Sequence, residues 1–222
     1  YWGNLEIRNT SILAKTLIFF LVLAIFTTIG PEIDVFISNL FYYGNNQFLI
    51  QSYYIVSILF RKILLPLLLV YIFVLPVILR FLPIQKIYFG YRFSLSEVFF
   101  IWLSGMLTML LVVNILLKNM WGRVRPNDIL PFGGAESFTP WYKISNSCTV
   151  NCSFVSGDAS VGFLLIVFYF ITKNNIYLYL GLVLGSLFGV LRISAGGHFF
   201  SDIVFSQIVV TVSFLVSFVL YK

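Results

Sequence analysis

The sequence predicts an all-α polytopic membrane protein, with six transmembrane helices and a short interfacial helix in the first outer loop. Of its 222 residues 60% are hydrophobic and only 10% are charged, against about 25% charged in an ordinary soluble domain. The mean hydropathy is +0.98. Six apolar stretches can be marked: Ser11–Ile29, Ile63–Leu79, Ser94–Leu117, Ser153–Thr172, Asn175–Leu191 and Ile203–Leu220. Each is near the ~20 residues that cross a bilayer as helix. No repeat, low-complexity tract or linker divides them, so residues 1–222 are expected to form a single membrane-embedded domain. The 25 Phe and 13 Tyr suit lipid-facing surfaces and interfacial belts. The formal charge of +6 comes without any basic run, which points to anionic lipid and away from nucleic acid.

The first stretch contains Thr16–Ile29, a run with the length of a signal-peptide core. No small-x-small cleavage pattern follows, and Gly30-Pro31-Glu32 has the character of an ordinary helix exit. Between the first two stretches, Ile33, Phe36, Ile37, Leu40 and Phe41 recur at helical spacing until Gly44-Asn45-Asn46 breaks the pattern. This is the expected interfacial helix, suited to guiding a lipid; a packed re-entrant loop is the alternative. Six crossings place both termini on one side. With the N-terminus inside, the inner face carries Arg8, Lys15, Arg80, Lys86, Arg92, Lys173 and Lys222. The outer face carries Arg61, Lys62, Lys118, Arg123, Arg125, Lys143 and Arg192, a tie. Setting aside Lys118, Arg125 and Arg192, whose positions chemistry dictates below, the bias favours the N-terminus inside.

The polar signals gather at the ends of the stretches. Lys118 closes the third, and the following loop carries Arg123-Val124-Arg125-Pro126 and Cys148-Thr149-Val150-Asn151-Cys152. The fourth opens with Ser156-Gly157-Asp158, a helix start whose free N–H groups suit a phosphate. On that segment alone a simple N-cap is the better explanation of those three residues. Arg192 ends the fifth stretch, and His198, the sole histidine, precedes Asp202 by one helical turn at the start of the sixth. A carboxylate bonded to one ring nitrogen leaves the other as base or nucleophile; the plain alternative is a loop histidine beside a capping aspartate. Gly196-Gly197 lets backbone approach a ligand closely. By the parity of the crossings all these residues share one membrane face. Ionisable residues gathered at span ends are costly to keep and functional by default. Lys118, Arg125 and Arg192 suit a phosphate. No His/Cys/Asp cluster has metal-ligand spacing, so neither a metal nor another cofactor is expected.

These segments resemble the three signatures of the type 2 phosphatidic acid phosphatase superfamily, integral membrane lipid phosphatases. The first, a lysine followed after six residues by Arg-Pro, is met by Lys118 and Arg125-Pro126. The second, usually Pro-Ser-Gly-His, appears as Val155-Ser156-Gly157-Asp158. The third, Ser-Arg, five residues, His, three residues, Asp, is met from Arg192 to Asp202, with Leu191 in place of the serine. The run from Asn151 to Ser160, together with Gly196 to Asp202, is similar to bacterial lipid A 4'-phosphatases.

The resemblance implies that His198 is the nucleophile forming a phosphohistidine and that Asp202 orients it. Lys118, Arg125, Ser156, Gly157 and Arg192 would bind the phosphate. Asp158 stands where the family has its second histidine, the acid for the leaving group. It is expected instead to order the cations or a water. The implied activity is hydrolysis of a phosphate monoester on a membrane lipid, with the active site facing the periplasm from the bacterial inner membrane. Lipid A ranks first as substrate, followed by undecaprenyl diphosphate and phosphatidylglycerol phosphate. A non-catalytic lipid-binding or transport relative is the alternative from another class. In that oxidising compartment Cys148 and Cys152 are expected to form a disulfide, two free thiols being the alternative.

Overall fold

The computed structural model describes residues 2–52, 54–82 and 91–221, with side chains from residue 11 onward except at 51, 52 and 54. Of the residues counted for orientation, Lys86, Lys222 and the Arg8 side chain lie outside those described. Most of the described chain is helical. Among the described residues, five helices are long and apolar enough to cross a membrane. The first span, Ser11–Ile29, belongs to α1 (Trp2–Ile29); α2 (Glu32–Asn39) follows it. The other four are α3 (Ile55–Phe81), α4 (Leu95–Lys118), α6 (Asn175–Ile193) and α7 (Phe200–Tyr221). The fourth predicted span is the shorter apolar helix α5 (Gly157–Thr172).

The helix boundaries have local causes. At α4, Ser94 accepts from the Glu97 N–H while Glu97 reaches back to the Ser94 N–H, a reciprocal capping box. Lys173, in the left-handed region at φ 55°, ends α5. One residue later the Asn174 side chain caps α6 by accepting from the Ile176 N–H.

The hub of the bundle is α5. Every residue from Ala159 to Phe170 is buried, enclosed by α3, α4, α6 and α7. Its backbone meets α6 directly: a Cβ on Gly162 would lie 2.6 Å from the Gly185 Cα. Small residues at such crossings allow close packing where lipid supplies no hydrophobic drive. Lipid-facing helices need more apolar side chain than this; α1 turns Ile18, Phe19, Val22, Ile25 and Phe26 outward.

Three sequence expectations shift. The second span begins at Ile55 rather than Ile63, which brings Arg61 and Lys62 inside the helix. The fourth predicted stretch began at Ser153, but Ser153–Val155 is not helical and α5 starts only after Ser156. The third concerns α2, which forms where expected but buries Asp34 and Ser38 while Phe36 and Leu40 face outward. Beyond it, Gly44–Asn46 makes the turn of a small hairpin, β1 (Tyr42–Gly44) and β2 (Gln47–Phe48). Phe48 is fully buried beside Tyr42 and Phe132.

Candidate active site

The turn between α6 and α7 delivers His198. Gly196 adopts φ +66°, and a Cβ there would meet the Phe48 ring at 2.5 Å, so the first loop's hairpin packs directly under this turn. A Cβ on Gly197 would strike Arg192 Nη2 at 2.4 Å. The glycine pair thus lets the Arg192 guanidinium lie against the backbone just before His198. Neighbouring loops brace the turn through Ile50 N–H to the Ser194 carbonyl (3.0 Å) and Asn127 N–H to the Gly196 carbonyl (3.1 Å).

His198 is 2% exposed, and its Nδ1 lies 3.5 Å from Asp202 Oδ2. That separation is too long for a formed hydrogen bond, a looseness common before substrate arrives. An ionised carboxylate only accepts, so it favours the tautomer with its proton on Nδ1 and leaves the Nε2 lone pair available. Burial, the largest influence, pulls the imidazole down from 6.5 to about 4. The approach of Asp202 opposes this, while the nearby charges of Arg192 and Arg125 reinforce it. The ring is therefore neutral at physiological pH.

Asp202 is held from several sides. Oδ2 accepts from the Phe199 N–H at 2.8 Å and from Ser153 Oγ, and Oδ1 accepts from Arg123 Nη1 at 2.5 Å. Sequence reasoning counted Arg123 only as a loop cation. Fully buried, it also donates to Ser201 Oγ (2.8 Å), Asp34 Oδ2 (2.8 Å) and the Thr139 carbonyl (2.9 Å). Its guanidinium stacks on Phe199 at 4.4 Å. Asp34 further accepts from the Ser201 N–H (2.8 Å) and hydroxyl (2.5 Å). Burial pushes the Asp34 carboxyl up, and Arg123 opposes that most strongly. This network ties α2 to the first turn of α7. Its signal in the sequence was a charged residue and a serine four apart, Asp34 and Ser38, within an apolar helix.

The cations assemble in front of α5. Lys118 Nζ is 3.4 Å from Asn151 Oδ1, and Arg125 Nη2 donates to the Asn151 carbonyl at 2.7 Å. Asn151 sits at φ 53° inside the loop closed by the Cys148–Cys152 disulfide, which forms as expected. A Cβ on Gly157 would lie 3.1 Å from Lys118 Nζ, so the lysine overhangs the helix start. Asp158 Oδ2 pairs with Arg192 Nε at 3.5 Å and also with Arg61 Nε at 3.0 Å. Arg61 was missed because hydropathy placed it outside the second span. Ser156 is buried, its hydroxyl caps α5 by accepting from the Ala159 N–H, and its carbonyl accepts from Ser160 and Ser206. The plain N-cap explanation therefore describes what the Ser156 side chain does. All eight residues picked from the sequence meet in this one region, joined by three that were not: Arg61, Arg123 and Asn151.

Residues 99–222 match the PAP2 superfamily, more than half of the chain. Three relatives carry the name Lipid A 4'-phosphatase. One, from Francisella tularensis subsp. novicida, is 40% identical over 146 residues, 64% of this chain and 64% of that protein. Another, from Rhizobium leguminosarum, is 39% identical over 97 residues, 42% of each chain. The third, from Rhizobium etli, is 40% identical over 96 residues, 42% of this chain and 37% of that protein. The matched part thus spans less than two thirds of each relative. No solved structure gives a significant match. The family match covers the cation cradle, the start of α5 and the His198–Asp202 pair alike, and the chain belongs to the PAP2 superfamily, the type 2 phosphatidic acid phosphatases that its three motifs resemble.

Proposed function

We propose that the chain is a membrane lipid phosphatase that hydrolyses a phosphate monoester through a phosphohistidine, with the 4'-phosphate of lipid A the favoured substrate. The observation that carries this is the neutral, buried His198, its Nδ1 turned to Asp202 and set beside a ring of cations. The relatives' printed names support the choice of lipid. In the proposed reaction His198 Nε2 attacks phosphorus and the P–O bond to the lipid breaks. Lys118, Arg125, Arg192 and the N–H groups of Ser156-Gly157 stabilise the charge gathering on the phosphoryl oxygens. Asp202 stabilises the imidazolium as it forms. Water then attacks the phosphohistidine, releasing phosphate and restoring the ring.

Asp158, paired with two arginines, is placed to accept hydrogen bonds and to order cations. The proton for the leaving alkoxide then comes from water or from a substrate hydroxyl. The same observation favours a second reading, a diphosphate such as undecaprenyl diphosphate, whose leaving group is a weak base and needs no proton. In either case α5 makes the sixth crossing, about 24 Å long at 16 residues and shielded from lipid by its neighbours. The enzyme would work as one membrane-embedded unit in the bacterial inner membrane, with its site facing the periplasm. There α2, its Phe36 and Leu40 turned outward, would lie in the outer interface. Purified protein tested on lipid A, undecaprenyl diphosphate and phosphatidylglycerol phosphate should release phosphate fastest from lipid A. Faster release from undecaprenyl diphosphate would move the assignment to the second reading, and no release from any would leave a non-catalytic relative.

A further inference from the structure

The residue at 158 creates an electrostatic problem that the three motifs do not solve. Phosphate is expected at the N-terminus of α5, yet the second residue of that helix is a carboxylate, which repels an incoming dianion. Arg61 answers it from outside the motifs. Its Nε donates to Asp158 Oδ2 at 3.0 Å, on the oxygen that Arg192 approaches at 3.5 Å. Arg61 lies in a helix whose apolar side chains otherwise suit lipid. It opens onto a narrow cleft where Val56 and Phe60 of α3 face Phe188 and Leu191 of α6. A cation held among such residues is costly. Arg61 and Arg192 share the Asp158 carboxylate and line the same cleft, so Arg61 belongs to the same electrostatic site.

We propose that Arg61 is a fourth cation of the phosphate site, one that offsets the charge of Asp158 and so keeps the cradle attractive to a phosphate dianion. This rests on the phosphatase reading and deepens it. With Arg61, four positive side chains stand against the one carboxylate; without it, Asp158 cancels one of three. The half-exposed Arg61 side chain (51%) is free to swing from Asp158 toward an arriving phosphate while Arg192 keeps hold of the carboxylate. Arg61 acts on affinity rather than on bond breaking, so its loss should appear in KM and in anion binding before kcat.

The test measures binding of inorganic phosphate to purified full-length protein by calorimetry, beside KM and kcat on phosphorylated lipid. Arg61→Gln should weaken phosphate binding and raise KM about tenfold, the range of one charge-assisted contact. Arg61→Lys should recover most of the loss, since charge is what is required. Lys62→Gln, one residue along and outside the cleft, should bind as the parent does. The decisive variant is Arg61→Gln with Asp158→Asn, which should bind phosphate more tightly than Arg61→Gln alone. Unchanged binding in Arg61→Gln, or no recovery in the double variant, would overturn the proposal. Phosphate binding needs no turnover, so the outcomes separate. An Arg61-dependent phosphate site in a protein that hydrolyses no lipid would sink the phosphatase reading alone. Lipid turnover with phosphate binding indifferent to Arg61 would sink this inference alone.

Discussion

The two sides of His198 are built differently. Behind it, Asp202, Arg123, Asp34 and Ser201 are fully buried and joined by short bonds from three separate stretches of chain. In front of it, Lys118 and Arg192 rest on longer contacts of 3.4 and 3.5 Å, and the Asp158 and Arg61 side chains are 22% and 51% exposed. The buried side is bonded within itself and holds Asp202 beside His198, the proposed nucleophile. Under the proposed function the open side would exchange partners as a phosphate enters and would be screened by salt. In the proposed reaction, pre-organisation would sit where the new bond forms and adaptability where charge must be accepted.

The largest expected contrast between the two comes from Arg123→Met. It leaves Asp34 and Asp202 buried without their shared cation, which costs about 3–5 kcal/mol. Thermal unfolding in detergent should fall steeply, whereas Arg125→Met on the open side should barely move it. Equal, small shifts in both would erase the distinction. Asp158→Asn comes next and should lower activity on a lipid and on an activated aryl phosphate by similar factors. A loss of about 10²–10⁴ confined to the lipid would instead identify Asp158 as the general acid.

The pH dependence sharpens the buried side further. Because the chain has one histidine, a magnetic-resonance titration of its ring reports His198 alone. The midpoint should fall near 4, where burial places it, and one near 6.5 would mean that solvent reaches the ring. A folded-state value below the unfolded one makes the unfolded chain bind the proton first. The stabilisation is therefore whole above about pH 6.5 and is lost as pH falls towards 4. The smallest effect belongs to the disulfide. Reduction of Cys148–Cys152 frees Asn151 from the loop that presents it to Lys118 and Arg125. So short a loop adds little chain entropy, so KM should rise a few-fold with little change in unfolding temperature. A large loss of stability would show that the bridge holds the fold rather than the cradle.

What the sequence made legible follows the same division. Lys118, Asp158, Arg192, His198 and Asp202 stand out because each is a polar residue at or beside the end of an apolar run, and Arg125-Pro126 because it follows Lys118 at a short spacing. Arg61 escaped because an Arg-Lys pair lowers the hydropathy of its window, so the second span was started at Ile63 rather than Ile55. Arg123 escaped because its partners are 78, 79 and 89 residues away, and no periodicity encodes such separations. The helix at residues 32–39 was found, but its apolar spacing hid that Asp34 faces inward. Burial of α5 on all sides explains why a helix with that start works at 16 residues, a property of its neighbours rather than of its own sequence.

The most direct test of the account is to trap the covalent intermediate. Protein given lipid A labelled with radioactive phosphate should be quenched in alkali, where a phosphohistidine survives, and digested. The label should sit on the peptide containing His198, disappear on acid treatment and be absent in His198→Ala. That variant should fold yet lose turnover, while Asp202→Asn, which keeps part of the geometry, should lose less. Label on another residue, or more than a few per cent of activity left in His198→Ala, would contradict a histidine nucleophile at this site.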